Sequence, residues 1–172
     1  MNDTLFWNVY YIKGAFLDSD KAFEVLTGMK TLELRMLKKC INTIVFARWL
    51  ASNPLVNVTG PANPGDPNFA IVKKLSYLEL PAPLFTIDFE QAKMSRVTLA
   101  EFFDSLAPMF GHMVSLGQSN TLVLCPALTS HSELGAEALA EAGITLTTIR
   151  ISVGDEAPRE LIADFLEAVR GS

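Results

Sequence analysis

Cysteine and histidine are scarce in this sequence, and their scarcity argues against whole classes of site. The two cysteines, Cys40 and Cys125, lie far apart and outside any Cys-x-x-Cys motif. They therefore predict buried, reduced thiols and not a disulfide or a zinc centre. Only His112 and His131 could add imidazole ligands, so a metal site is not expected.

Basic residues are fewer than acidic ones, and the sequence has no long apolar run. The 14 Lys and Arg against 19 Asp and Glu give a net charge of −5, which argues against a nucleic-acid partner. No apolar run approaches the roughly 20 residues that a membrane-spanning helix needs. Residues 1–11 also lack the basic start and apolar core of a secretion signal. We expect a soluble, globular, cytoplasmic protein without a membrane partner.

The first 16 residues are unusually apolar for the start of a chain and follow neither a helical nor a strand period. The apolar residues are Leu5, Phe6, Trp7, Val9, Tyr10, Tyr11 and Ile12. We expect this patch to pack against the rest of the domain or against a part of the protein outside this sequence. The predicted organisation is an interdomain segment or truncation edge over residues 1–16 and one domain over residues 17–172.

Apolar periodicity and turn residues predict ten elements in the remaining chain. Helices are predicted from Asp18 or Ser19 to Gly28, over 31–52, 69–78 and 98–110, from Ser132 to Gly143, and from Pro158 onward. Strands are predicted over 55–59, 84–89, 121–125 and 145–153. This order predicts an α/β sandwich, in which a small mixed sheet of about four strands is covered by helices.

The long helix over 31–52 has one predicted apolar stripe. The stripe consists of Leu37, Cys40, Ile41, Ile44, Ala47 and Arg48. The residues Glu33, Lys38, Lys39 and Asn42 lie away from it and are expected on the solvent side.

The strand over 145–153 contains a single charge, Arg150. Alternation places Ile149, Ile151 and Val153 on a core face. The opposite face carries Leu146, Thr148, Arg150 and Ser152. A guanidinium held by a strand suits bidentate binding of a carboxylate, a contact worth roughly 1.5–3 kcal/mol. The residues alone leave open that Arg150 pairs with an acidic neighbour or extends to water.

Three stretches of the sequence follow one another in a characteristic order. They are residues 28–36 (GMKTLELRM), residues 114–117 (VSLG) with Leu122, Pro126-Ala127 and Ser130-His131, and residues 150–156 (RISVGDE) with residues 161–164 (LIAD). Together they resemble the C-terminal part of the fold-type-I, pyridoxal-phosphate-dependent transsulfuration enzymes. That family includes cystathionine γ-synthase, cystathionine lyases, methionine γ-lyase and O-acetylhomoserine sulfhydrylase. The resemblance extends from about residue 14 to residue 169.

The resemblance implies roles for three residues. Arg150 takes the family role of binding the α-carboxylate of the amino-acid substrate, and Ser115 stands where the family places a serine near that carboxylate. The alternative for Ser115 is a turn-capping serine before a loop glycine. Val114 stands where cystathionine-handling members often carry a glutamate, so an apolar residue there favours a thioether or an O-acyl-homoserine substrate.

The resemblance also implies the cofactor pyridoxal phosphate. In the family its lysine, the acid facing its ring nitrogen and its phosphate cradle lie upstream of the matched region. None of the eight lysines here follows a Ser-x-Thr pattern. We therefore expect the C-terminal, substrate-binding part of a lyase or transferase of Cys/Met metabolism, with no catalytic residue of its own and inactive alone. Its expected partners are the amino-acid substrate, its own N-terminal cofactor domain and further copies in a homo-oligomer, a tetramer in the full-length family.

Several positions depart from the family pattern, and other functions stay open. Asn120 replaces a glutamate, Cys125 a histidine and Thr27 an arginine, which predicts a divergent member and leaves the substrate undecided. The alternative is a stand-alone α/β module that binds a small carboxylate or serves only in assembly. An independent enzyme has little support, because His112 and His131 have no nucleophile or acid partner by spacing.

Overall fold

The structure, a computed structural model, describes residues 2–14 and 16–171. The described residues fall into two compact units that divide between Arg35 and Met36. Among these residues, no helix combines the length and the apolar character needed to cross a membrane.

The first unit is helical. It contains α1 (Asp3–Leu5), a π-helix (Phe6–Tyr11) and α2 (Ser19–Lys30). The start of α2 was predicted, and Asp18 caps it by accepting a hydrogen bond from the Lys21 amide at 2.8 Å. The first residues show no 3.6-residue period in the sequence and are nevertheless helical, because a π-helix repeats at a wider spacing than an α-helix. No residue described within 2–35 is buried.

The helices of the second unit largely follow the prediction. They are α3 (Leu32–Ala51, which begins in the first unit), α4 (Phe69–Leu75), α5 (Arg96–Ser105), α6 (Ala136–Glu141) and α7 (Pro158–Gly171), with short 3-10 helices at Tyr77–Glu79 and Glu90–Ala92. The expected end of α5 at residue 110 was wrong, because Pro108 cannot continue a helix. The expected Ser132 cap was also wrong: residues 126–133 form turns, and Gly135 is the N-cap of α6.

One mixed sheet of five strands forms the centre of the second unit. The strands are β1 (Asn57–Thr59), β2 (Leu84–Asp88), β3 (Gly111–His112), β4 (Leu122–Leu124) and β5 (Ile149–Ser152). Their order is β1-β2-β5-β4-β3, with β3 parallel to β4 and the other pairs antiparallel. The predicted α/β class with a small mixed sheet is confirmed, and β3 is an additional strand too short to show a period.

Strand β5 is shorter than predicted. Residues 145–148 form a turn closed by threonine hydroxyls, with the Thr145 amide donating to Thr148 Oγ1 at 2.8 Å. The predicted core face is confirmed, since Ile149, Ile151 and Val153 are buried. Burying each such side chain stabilises the fold by about 1.5–3 kcal/mol.

The core lies between β5 and the helices α3, α5 and α7. Phe165 of α7 is at its centre, with ring centroids 6.0 Å from Phe46 of α3 and 5.3 Å from Phe102 of α5. The predicted stripe of α3 was wrong in part. Lys39 and Asn42 are buried, whereas Ile41 is 47% exposed, because hydrogen bonds to distant backbone draw the two polar side chains inward.

Candidate functional site

Arg150 and the segment 114–115, predicted as site residues from separate stretches, lie together in the structure. Arg150 occupies the central strand β5, paired with Thr86 of β2 and Leu124 of β4. Its Nη2 donates hydrogen bonds to the carbonyl oxygens of Val114 at 2.9 Å and Ser115 at 3.0 Å. The rigid strand therefore fixes the guanidinium against the loop that follows β3.

The guanidinium retains unused donors. Arg150 Nε is buried and has no hydrogen-bond partner within the described chain. No acidic side chain of the described residues forms an ion pair with Arg150. A buried cationic donor without a partner is unfavourable, and a carboxylate is the acceptor that suits a guanidinium edge. The alternative that Arg150 pairs with an acidic neighbour finds no support in the described contacts.

A carboxylate binding at this guanidinium also acts on the loop. Both bidentate edges of a guanidinium include one Nη2 donor, and here Nη2 already serves two carbonyl oxygens. An incoming carboxylate must share or displace one of those contacts. Binding at Arg150 is therefore coupled to the position of Val114 and Ser115.

The side chains of Ser115 and Val114 remain available to a ligand. Ser115 is half-buried, and its Oγ accepts a long hydrogen bond of 3.4 Å from Gln118 Nε2. This contact does not use the hydroxyl proton of Ser115. Val114 is 64% exposed, so its apolar side chain is free to face a ligand or another part of the protein.

The middle of the loop is held from two sides. Gly117 donates its amide to Ser152 Oγ of β5 at 3.1 Å. Lys39 of α3 is 2% exposed, and its Nζ donates to the carbonyl oxygens of Gly117 at 3.0 Å and Gln118 at 2.7 Å. Loop 114–120 is thus attached to both the sheet and α3.

The end of the loop is held by the segment after β5. The Glu156 carboxylate accepts hydrogen bonds from the Thr121 amide at 2.6 Å and the Thr121 hydroxyl at 2.8 Å. A Cβ at Gly154 would lie 2.5 Å from the carbonyl carbon of Asn120, so only glycine permits this close approach. Asn42 Nδ2 of α3 completes the arrangement by donating to the Glu156 carbonyl oxygen at 2.8 Å.

Comparison with known proteins assigns the family. Residues 3–170 match the Cys/Met metabolism PLP-dependent enzymes. The chain belongs to this family. It is 32% identical over 158 residues to O-acetyl-L-homoserine sulfhydrylase 1 of Thermus thermophilus and 33% identical over 179 residues to cystathionine beta-lyase of Coxiella burnetii. The alignments cover 91% and 98% of this chain but only 36% and 43% of those relatives.

Solved structures of the family share the fold. A cystathione gamma lyase from Micromonospora echinospora superposes with a TM-score of 0.78 at 32% identity, covering 95% of this chain and 41% of that one. An O-acetylhomoserine (thiol)-lyase from Campylobacter jejuni, which carries N'-pyridoxyl-lysine-5'-monophosphate, gives 0.80 at 29% identity, covering 98% and 39%. The predicted family and its pyridoxal phosphate dependence are confirmed. That this chain is the C-terminal part stays a prediction.

Two of the three stretches that resemble the family meet at Arg150, and the first stabilises a helix end. In that first stretch, Arg35 donates from Nη2 to the Gly28 carbonyl oxygen at 2.9 Å and from Nε to Thr31 Oγ1 at 3.2 Å. These contacts satisfy carbonyl and hydroxyl groups at the end of α2. They indicate a structural role for the first stretch and no role in binding or catalysis.

The cysteines and histidines are not among the residues that hold Arg150 and loop 114–120. Both cysteines are buried, as predicted, and burial raises the pKa of the Cys40 and Cys125 thiols. A buried thiol with a raised pKa is a poor nucleophile. His112 stacks on Phe103 at 4.3 Å, and His131 Nδ1 shares a 2.8 Å hydrogen bond with Ser130 Oγ.

The residues around Arg150 fit a carboxylate ligand and not the whole cofactor. Pyridoxal phosphate needs a lysine amine for its aldehyde and donors for its phosphate. The lysine that reaches this loop, Lys39, is buried, and its ammonium is engaged by two carbonyl oxygens. The described site therefore offers donors to a carboxylate but no free amine to the cofactor.

Proposed function

We propose that this chain is the substrate-binding part of a pyridoxal-phosphate-dependent sulfur amino-acid enzyme, in which Arg150 binds the substrate α-carboxylate. One observation carries the proposal: the Arg150 guanidinium bonds to the Val114 and Ser115 carbonyls while its buried Nε has no partner in the described chain. The substrate class is cysteine, homocysteine, methionine, cystathionine or an O-acyl-homoserine. The family membership supports this class.

The residues of this chain orient the substrate. Arg150 fixes the carboxylate by charge-assisted hydrogen bonds, and the Ser115 hydroxyl adds a neutral donor beside it. Fixing the carboxylate limits rotation of the substrate, so that the bonds at its Cα, Cβ and Cγ keep one orientation. The cofactor, when bound, supplies an electron sink for elimination or replacement at Cβ or Cγ.

Val114 contributes to substrate choice in this proposal. Its exposed side chain carries no charge that could pair with the distal ammonium of cystathionine. An apolar surface there suits a thioether methyl or an acyl group better than an ammonium. The proposal therefore favours methionine-like or O-acyl-homoserine substrates.

The lysine that carries the cofactor and the phosphate cradle belong, in this proposal, to an N-terminal cofactor domain. The chain spans 36% to 43% of the relatives above, which leaves room for such a domain in an enzyme of their length. Alone, the chain is expected to be inactive. The active assembly is expected to be a homo-oligomer.

The test is an NMR titration of the 172-residue chain with L-methionine. We expect amide shifts confined to residues 113–118 and strand β5, with a dissociation constant on the order of 1–10 mM, since only one end of the ligand is held. Arg150→Met should weaken binding by about ten- to a hundredfold, the loss of charge-assisted hydrogen bonds to one carboxylate. Arg159→Met is the matched control, because Arg159 lies at the surface with its side chain 87% exposed.

A second ligand separates carboxylate recognition from general affinity. The amine 3-(methylthio)propylamine has the side chain and amino group of methionine but no carboxylate. It should leave the spectrum unchanged at concentrations where L-methionine saturates the chain. Equal responses to both ligands, or undiminished L-methionine binding by Arg150→Met, would remove the assigned role of Arg150.

A further inference from the structure

We propose that Lys39 is a positioning residue for the Arg150 site: its ammonium holds the loop in the place where Val114 and Ser115 reach Arg150. The carbonyl oxygens of Gly117 and Gln118 accept from Lys39 Nζ at 3.0 Å and 2.7 Å. The link to substrate rests on the proposed function of Arg150. The link to the loop rests on these contacts alone.

The burial of Lys39 requires an explanation, because an ammonium is costly to remove from water. The side chain is 2% exposed, and within the described chain no carboxylate forms an ion pair with it. Its compensation in the described contacts comes from the loop carbonyls. A buried cation that depends on one loop conformation stabilises that conformation over others.

Other side chains in the same turn of α3 also form hydrogen bonds that support the loop. Thr43 Oγ1 donates to the Lys39 carbonyl oxygen at 2.7 Å, within the helix. Asn42 Nδ2 donates to the Gly154 carbonyl oxygen at 3.3 Å and to that of Glu156 at 2.8 Å. Neighbouring side chains of one helical turn therefore hold the loop and the segment packed against its end.

Lys39 and Arg150 hold the loop in different ways. The Arg150 donors that bind Val114 and Ser115 are those a substrate carboxylate must share. Lys39 binds Gly117 and Gln118, further along the loop, and its contacts do not compete with a ligand at Arg150. Lys39 thus keeps the loop in place while Arg150 exchanges a carbonyl for the carboxylate.

Amide hydrogen exchange of the 172-residue chain tests the positioning role without any ligand. Two amides report loop docking: Gly117, which donates to Ser152 Oγ, and Asp155, which donates to the Ser119 carbonyl. In Lys39→Met we expect their exchange to be about ten- to a hundredfold faster, with β5 amides unchanged. Lys38→Met is the matched control, since Lys38 is the adjacent, exposed lysine, and Lys39→Arg should restore protection.

The same variants link the loop to substrate. L-methionine should bind Lys39→Met about tenfold more weakly and Lys38→Met as it binds the wild type. If the wild-type chain does not bind L-methionine, the proposed function fails, while the exchange data still decide whether Lys39 holds the loop.

Three outcomes would overturn the positioning role. The first is equally faster exchange of loop and β5 amides in Lys39→Met, which would indicate only a loss of stability. The second is unchanged exchange of the loop amides in Lys39→Met. The third is an unchanged affinity of Lys39→Met for L-methionine when the wild-type chain does bind it. Should Lys39→Met fail to fold, the wild-type chain itself decides. Its Lys39 Nζ protons should be resolved and slow to exchange with water, and exchange as fast as that of the Lys38 ammonium would contradict the proposal.

Discussion

At the scale of single residues, Arg150 and Lys39 both contact the loop that carries Ser115. Alternation along the strand predicted the side on which Arg150 projects, and the resemblance to the family predicted that Ser115 lies near it. Ser115 and Arg150 are 35 residues apart, so only the fold could bring them together. The hydrogen bonds from Arg150 to the loop carbonyls were not predictable, because every residue has a backbone carbonyl and the sequence does not indicate which one accepts.

Gly154 gives a prediction at the residue scale. Gly154→Ala should destabilise the second unit by about 1–3 kcal/mol, because the new Cβ would overlap the backbone at Asn120. Urea denaturation followed by circular dichroism measures this loss. Gly65→Ala is the matched control, since the nearest atom to its Cβ would be Asn63 Oδ1 at 3.5 Å, an ordinary contact. Equal stability of the two variants would contradict the close packing of the loop end.

The burial of Lys39 and Asn42 could not be predicted from their residue types. Both are polar and were predicted on the solvent side of a helix, yet both are buried. Periodicity measures hydrophobicity, and it cannot distinguish a polar residue facing water from one facing backbone carbonyls. Their spacing of three residues, which places them on one face of α3, was a usable signal.

At the scale of elements, long helices and the central strands were predictable and short or irregular elements were not. Helices α2, α3 and α7 carry caps or stop signals that fixed their ends within a few residues. Strand β3 has two residues, and the π-helix lacks the 3.6-residue repeat, so neither produces a recognisable pattern. The beginning of α6 was wrong because local turns satisfied the backbone that a serine cap would have bonded.

Helix α7 gives a prediction on pH. Burial, and secondarily the charge of Glu167, raises the pKa of Asp164. The folded state therefore binds this proton more tightly than the unfolded state. The stabilisation that this bound proton gives the folded state is complete below the pKa that Asp164 has in the unfolded chain. It is lost as pH rises through the pKa that Asp164 has in the folded state.

Asp164→Asn should remove this dependence. The wild type loses stability between about pH 3 and about pH 6, so the free energy of unfolding of the variant should increase relative to that of the wild type over this range. Urea titrations at a series of pH values measure the difference. Asp104→Asn, at an exposed position of α5, serves as the control. A difference between Asp164→Asn and wild type that is constant with pH would rule out the assigned shift.

At the scale of the whole molecule, the fold class and the family were predictable, and the assembly was not. Three stretches in register identified the family that the match over residues 3–170 then showed. The division at residue 16, the cofactor domain and the oligomer stay predictions, because no contact among the described residues tests them. The first unit exposes many apolar side chains, among them Trp7, Tyr11 and Phe23, which is consistent with such a partner.

The central claim is that this chain supplies the carboxylate-binding part of the site and another part of the protein supplies the cofactor lysine. Borohydride reduction of the purified chain with pyridoxal phosphate, followed by mass spectrometry of its peptides, tests it most directly. We expect weak labelling scattered over exposed lysines, with Lys39 unlabelled because its amine is buried. Stoichiometric labelling of one lysine would show that the chain has its own cofactor site and would contradict the account.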